Sequence, residues 1–294
     1  MNFYVKKYTD LEFNNFGAGR QFDLSHYDTV IDSDTHGYYF DNITQNYKTL
    51  FKLCKNQINQ TLQDQATTAF LKLAKKTTGN RGYASGKPEG SKVVRVMVDG
   101  QSMSMKRSNS NIAGFYDKPD RRHKKYFKTD VACRKTAFTH HNLNLWKTGL
   151  PFIQKCSELY HQHGRKYHDI QQLEYERIQH DYKIPETVFT TVTVNYNWRT
   201  SCHKDTGDYS KGLGNLIVTG KDFSGCYLGF PQFKICIKVE PSDFLLMDVH
   251  QWHCNTEINL LNPDAYRISY VMYLRENMSK CKTEKQIDDL KYYY

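Results

Sequence analysis

The chain lacks any apolar run approaching the roughly 20 residues that a helix needs to span a bilayer. Its first residues, MNFYVKKYTDLEF, hold no long apolar stretch of the secretory type. An intracellular protein without a membrane partner is therefore expected. Cysteines are present, but none of Cys54, Cys133, Cys156, Cys202, Cys226, Cys236, Cys254 and Cys281 falls in a C-x-x-C pair. That spacing argues against a zinc finger or ribbon. In a reducing compartment the eight read as small buried hydrophobes or free thiols. No repeat and no linker is evident, so a single domain over residues 1–294 is expected, acting as a monomer.

What the chain does have is aromatic mass. With 22 Tyr and 16 Phe it can bury a large core, which excludes a disordered chain. The formal net charge of +10 suits a polyanionic partner such as nucleic acid, but a merely soluble basic surface explains it equally well.

Along the chain the texture changes once. Residues 1–40 show no clear period. From 42 to about 76 the spacing of Tyr47, Leu50, Phe51 and Cys54, then of Phe70, Leu71 and Leu73, predicts helix. A glycine-rich loop at 77–91 precedes a predicted strand at 92–100. Residues 142–180 read as one or two helices, broken near Leu150-Pro151 or at Gly164, and ended by Pro185. After Pro185, short candidate strands follow at 187–198, 215–219, 225–230, 233–239, 243–249 and 266–274, with turn residues between them. Many short strands without helical crossovers predict an α+β chain. Its core would be a double-stranded β-helix (jelly roll, cupin-like) over 185–281, with N-terminal supporting helices in a helical and irregular region over 1–184 and a tail at 282–294.

The chemistry gathers at predicted strand ends. In His203-Lys204-Asp205 the two outer residues share a strand face, because side chains alternate with period two. A His and an Asp so placed, with one more His, make the 2-His-1-carboxylate facial triad that holds Fe(II) and leaves coordination positions open. The second His is sought in DFLLMDVHQWHCNTE, which offers His250 and His253. Parity does not choose between them. The turn-like Asn255-Thr256 after His253, and the room for several strands between it and Asp205, favour His253. On the next strand Arg267 and Ser269 share a face. A planar guanidinium pairs bidentately with a carboxylate, which is what the far end of 2-oxoglutarate requires. Taken singly, these features have plainer explanations. Asp205 can cap the turn at Thr206-Gly207, and Arg267 can be a surface ion pair. Their order along the chain favours the iron site.

The stretches TTVTVNYNWRTSCHKDTGD, GLGNLIV, FPQF, SDFLLMDVHQWHCNT and YRISYVMYLRE resemble the TET/JBP family of Fe(II)- and 2-oxoglutarate-dependent dioxygenases, which oxidise the 5-methyl group of pyrimidines in DNA. The resemblance is dense over about 185–276 and looser at CRKTAFTHHN and GFYDKPD. Residues 1–80 carry no part of the resemblance. It is closer to the JBP-like thymidine hydroxylase branch and its viral, phage and microbial relatives, since the long insertion and cysteine-rich zinc region of animal TET domains are absent. The resemblance implies a catalytic domain using Fe(II), 2-oxoglutarate and O2. It makes His203, Asp205 and His253 the iron ligands, makes Arg267 the cosubstrate anchor and has Ser269 assist it. Asn195 and Arg199 would line the cosubstrate or base pocket, a structural hydrogen bond being as good a role for Arg199. The target that the resemblance implies is thymine, giving 5-hydroxymethyluracil, with 5-methylcytosine, or a protein or small molecule, as alternatives. A duplex base must be flipped out or single-stranded to reach a buried iron. Lys106, Arg107, Arg121, Arg122, Lys124 and Lys125, interleaved with Tyr126 and Phe127, are the expected DNA contacts. The site of action would be nuclear, nucleoid-associated or in a virus-infected host cell.

Overall fold

A computed structural model describes residues 1–7, 17–78, 81–86, 95–98, 101–104, 108–117 and 133–283. At its centre two sheets face each other. The larger takes strands β1 (Asn2–Val5), β3 (Thr35–Asp41), β4 (Asn46–Cys54), β7 (Ser110–Tyr116), β8 (Arg134–Lys135), β9 (Thr191–Tyr196), β10 (Gly214–Lys221), β14 (Phe244–Met247) and β17 (Tyr266–Tyr273). Among the described residues its order is β1-β3-β4-β14-β10-β17-β9-β7-β8. The smaller has β2 (Thr29–Ile31), β12 (Leu228–Phe230), β13 (Ile235–Ile237) and β15 (Cys254–Asn255), in the order β15-β12-β13-β2. Two hairpin-like pairs stand apart: β5 (Arg95–Val98) with β6 (Gln101–Ser104), and β11 (Phe223–Gly225) with β16 (Ile258–Leu260).

Helices α1 (Gln60–Ala74), α2 (Ala137–His141) and α3 (Leu143–Glu176) cover one face of the large sheet. Strand alternation divides the sheet's residues cleanly. Ile217, Phe244, Leu246, Ile268, Tyr270 and Met272 join Phe70 and Phe152 of the helices in one core. Leu216, Val218, Leu245 and Met247 point the other way, into a second core shared with Phe230 and Ile237 of the small sheet. Asn59 caps α1 by accepting the Leu62 N–H at 2.9 Å. Among the described residues no helix is long and apolar enough to cross a membrane.

The strands predicted after Pro185 are present within a few residues of their expected bounds. Three expectations upstream are corrected. Residues 46–54 form a strand, not a helix: β4 lies between β3 and β14 and buries Leu50, Phe51, Leu53 and Cys54 on both faces. A register shift opposite Gly37 and Tyr38 leaves Leu50 as an extra residue beside Phe51 in one core, so alternation is lost and the short apolar run mimics helical spacing. Next, the region before 184 is not only helical and irregular, because it gives five strands to the large sheet and one to the small. Third, α3 runs through Pro151, so the break expected there is absent, while the alternative break at Gly164 is present (φ −135°, ψ 36°). Pro151 and Lys147, whose carbonyl loses its partner, both face solvent, where water can replace the missing bond. Of the cysteines, Cys133 and Cys281 are joined as a disulfide, while the other six are free and buried.

Candidate active site

Strand β9 stops at Tyr196, seven residues before His203. Asn197 turns the chain with φ 45° and clasps the next strand: its N–H donates to the Arg267 carbonyl at 2.8 Å, and its Oδ1 accepts the Arg267 N–H at 2.7 Å. His203 therefore sits beyond the strand, on an isolated bridge with His253. The two residues exchange both main-chain hydrogen bonds at 3.0 Å, which brings their ring centroids to 4.4 Å. The period-two placement expected for Asp205 is replaced by a turn held by its own N–H, which donates to the Val249 carbonyl at 3.0 Å.

Each imidazole is oriented from behind. The Nδ1 of His203 lies 2.7 Å from the Ser201 carbonyl, and that of His253 lies 2.9 Å from the Gln251 carbonyl. A carbonyl only accepts, so both Nδ1 atoms carry the proton and both Nε2 lone pairs are free to ligate. The two Nε2 atoms face Asp205, at 3.5 Å from Oδ1 and 3.5 Å from Oδ2. One ligand atom from each residue falls within 4.8 Å of the others. Burial, with the His253 imidazole alongside, pushes His203 down to about 4. Burial also opposes ionisation of Asp205, yet the two imidazoles hold its carboxyl below the usual range. Two imidazole nitrogens and one carboxylate, all on one side of a common point, are the donor set that suits Fe(II). His250 does not converge: its N–H donates to Asp248 Oδ1 at 3.0 Å, and its Nε2 lies 3.4 Å from the Tyr209 carbonyl.

A cavity of about 650 Å³ opens between the sheets at this point. The faces of β9 and β17 turned away from the helices line it, through Thr193, Asn195, Arg267, Ser269, Val271 and Tyr273. Arg267 is 2% exposed. Its Nε has no partner, and it forms no ion pair among the described residues; the Phe223 ring lies 6.0 Å from the guanidinium carbon. Asn195 stands opposite Ser269 across the strands and donates its Nδ2–H to Ser269 Oγ at 3.0 Å. That leaves the Ser269 hydroxyl proton free to donate. Arg199 is not on the cavity wall. Its guanidinium donates to Asp23 Oδ1 at 2.7 Å, to the Phe22 carbonyl at 3.1 Å and to the Asn255 carbonyl at 3.3 Å, so it pins the N-terminal segment to β15.

Several polar residues of the cavity were not anticipated, among them Asp117, Arg275, Arg81 and Asp208. Asp117 accepts from Arg275 Nε at 2.5 Å, and Arg81 Nε donates to Ser110 Oγ at 2.7 Å. Asp208 is 7% exposed, and its Oδ2 is buried without a partner. Burial first, and then the Asp205 carboxylate, push the Asp208 carboxyl well above the usual range. Asp208 had a signal, three residues after Asp205 in the same turn; Arg81 and Asp117 had none, being remote in sequence. The expected DNA contacts Lys106, Arg107, Arg121, Arg122, Lys124 and Lys125 lie outside the described residues.

The Tet_JBP family, described as the oxygenase domain of the 2OGFeDO superfamily, matches residues 112–276, more than half of the chain. The chain belongs to the Tet_JBP family. Its match contains His203, Asp205, His253, Arg267 and Ser269, while Arg81 precedes it. Two relatives illustrate the likeness. The bifunctional helicase and thymine dioxygenase JBP2 of Leishmania major is 34% identical over 184 residues, covering 60% of this chain and 16% of the relative. The thymine dioxygenase JBP1 of Trypanosoma brucei brucei is 33% identical over 177 residues, covering 57% and 19% respectively. The match thus spans less than a fifth of these relatives' length. Among solved structures, NgTET1 in complex with 5mC DNA gives a TM-score of 0.49 at 14% identity, covering 90% of this chain and 86% of that one.

Proposed function

We propose that this chain is an Fe(II)- and 2-oxoglutarate-dependent dioxygenase that hydroxylates the 5-methyl group of thymine in DNA, giving 5-hydroxymethyluracil. The observation that carries the reading is the convergence of His203, Asp205 and His253 in one cavity with a buried guanidinium that pairs with no carboxylate among the described residues. Membership of the oxygenase family and the thymine dioxygenases among its relatives support it. On this reading the two facing sheets are the double-stranded β-helix expected from the strand pattern.

The two Nε2 atoms and the Asp205 carboxylate would hold the iron. Bound Fe(II), with 2-oxoglutarate and O2, supplies an oxidant able to replace a methyl hydrogen by hydroxyl, with succinate and CO2 as the other products. Arg267 grips the far carboxylate of the cosubstrate through its planar fork. Ser269 adds a hydroxyl donor, kept in orientation by Asn195. Leu216, Leu228, Met247 and Val271 on the cavity wall exclude water from the reacting methyl group. On the polar wall the free Oδ2 of Asp208 is available to the hydrogen-bonding edge of a pyrimidine. A cavity of about 650 Å³ has room for the cosubstrate and one base but not for a duplex, so the thymine enters flipped out or from a single strand. DNA as partner also accounts for the net charge of +10.

The test is nucleoside mass spectrometry after incubating the protein, Fe(II) and 2-oxoglutarate with DNA that contains both thymine and 5-methylcytosine. 5-Hydroxymethyldeoxyuridine should appear, and should vanish with Asp205→Ala. Oxidised cytosine in its place would keep the chemistry and change the base. No oxidised base, or activity surviving in Asp205→Ala, overturns the reading.

A further inference from the structure

On the far side of the large sheet, α3 carries a second cluster of ligating groups. In an unbroken helix, residues seven apart lie about 10.5 Å apart along the axis. His161 and His168 are seven apart, yet their ring centroids are 4.8 Å apart. The bend at Gly164 lies between them. Asp169 joins them, with Oδ1 at 3.4 Å from His168 Nδ1 and 3.9 Å from His161 Nε2. Ligand atoms of the three residues all fall within 4.8 Å of one another.

The bend is fixed from the buried side, not by the cluster itself. Lys52 Nζ donates to the His163 carbonyl at 2.9 Å, and the His163 ring pairs with Gln57 Oε1 at 3.1 Å. A Cβ at position 164 would stand 2.7 Å from Leu246 Cδ1, so α3 approaches β14 this closely only because residue 164 is glycine. The Tyr160 ring packs edge-on against His168 at 5.5 Å and limits its swing. Two imidazoles from opposite sides of a helix break are thereby held together before any ion arrives. Among the described residues the cation that meets the cluster is Arg165, which lies 3.6 Å from the other carboxylate oxygen, Oδ2, so Oδ1 stays available.

We propose that His161, His168 and Asp169 form a second metal site, for a divalent transition-metal ion of the zinc class, with water completing its shell. Zinc–ligand bonds of about 2.0–2.2 Å place adjacent ligand atoms of a tetrahedron roughly 3.3–3.6 Å apart, which the 3.4 and 3.9 Å separations nearly meet. His161 and Asp169 are 50% and 56% exposed at their side chains, so the ion can exchange with solvent. Bound there, it bridges the two halves of α3 and stiffens the layer that backs β14. The site is independent of the cavity triad, which lies across the sheet.

Zinc stoichiometry and affinity, measured by calorimetric titration in the wild type, Asp205→Ala, His161→Ala and the double variant, test the proposal. His161→Ala should remove one bound equivalent, or weaken it more than tenfold, in both the wild-type and the Asp205→Ala backgrounds. Zinc should also raise the melting temperature of Asp205→Ala but not of the double variant. Equal binding with and without His161 overturns the second site. If Asp205→Ala changes nothing while His161→Ala does, the cavity triad fails and the helix site stands.

Discussion

Arg267→Met separates a cosubstrate anchor from a structural arginine. The guanidinium is 2% exposed, and its Nε is unpartnered. Removing an uncompensated buried charge in favour of an apolar side chain of similar length is neutral or stabilising. Without 2-oxoglutarate, the variant should therefore melt at or above the wild-type temperature. With 2-oxoglutarate the sign reverses, because the cosubstrate carboxylate is then buried without its partner. That loss costs about 3 kcal/mol or more, roughly a hundredfold in affinity. At a cosubstrate concentration a hundred times the wild-type dissociation constant, linkage stabilises the wild type by about 2.7 kcal/mol. A hundredfold weaker variant gains only about 0.4 kcal/mol under the same conditions. At roughly 2–4 °C per kcal/mol for a chain of this size class, a shift of about 5–10 °C collapses to about 1 °C. Thermal melts with and without 2-oxoglutarate, in the presence of a divalent metal, read both quantities. A large drop in the melting temperature of the cosubstrate-free variant would make Arg267 structural. An undiminished shift on adding 2-oxoglutarate would put the carboxylate elsewhere.

Asp208→Ala should leave uncoupled 2-oxoglutarate consumption within a few-fold of wild type but lower thymine-dependent turnover at least tenfold; equal losses in both assays would remove Asp208 from base recognition. Gly37→Ala should destabilise by about 1–3 kcal/mol or more, because the new Cβ would stand 2.1 Å from the Phe51 ring, which is fully buried; a denaturant melt checks it. Phe70→Ala should cost about 3–5 kcal/mol, since Phe70 is fully buried among Phe138, Trp146 and Tyr270; turnover per folded molecule should hold, as its layer lies across the sheet from the cavity.

The sequence disclosed most where strands are regular and face different environments on their two sides. In β17 the helix-facing Ile268, Tyr270 and Met272 alternate with the cavity-facing Arg267, Ser269 and Val271, and period-two reasoning finds both sets. It fails in β4, where a register shift opposite Gly37 and Tyr38 sends the consecutive Leu50 and Phe51 into one core and breaks the alternation. It also gives the wrong reason for His203 and Asp205. They do share a site, but through a bridge to His253 and a turn held by Val249, not as neighbours on a pleated strand. Arg199 was ambiguous because its partners, Phe22, Asp23 and Asn255, come from distant segments with no local pattern.

The three proposed ligands and the proposed anchor, Arg267, gather where they do because the large sheet has two unlike faces. One is covered by α1 and α3 and is filled with aromatic and aliphatic side chains. The other meets a four-stranded sheet that is shorter than it, so the two cannot close over β9 and β17 along their whole length. Polar residues survive there because the cavity leaves them room and partners. Asn195 bonds Ser269, Asp117 bonds Arg275, and Arg267 and Asp208 keep atoms without a protein partner. A fold selected for stability alone would not retain a buried guanidinium nitrogen and a buried carboxyl oxygen, both without a partner among the described residues, in one cavity, since each such group costs about 1–3 kcal/mol or more. On the proposed reading, a ligand that brings a carboxylate to the one and a hydrogen-bonding edge to the other offsets that cost, which would tie the stability of the cavity to its occupancy.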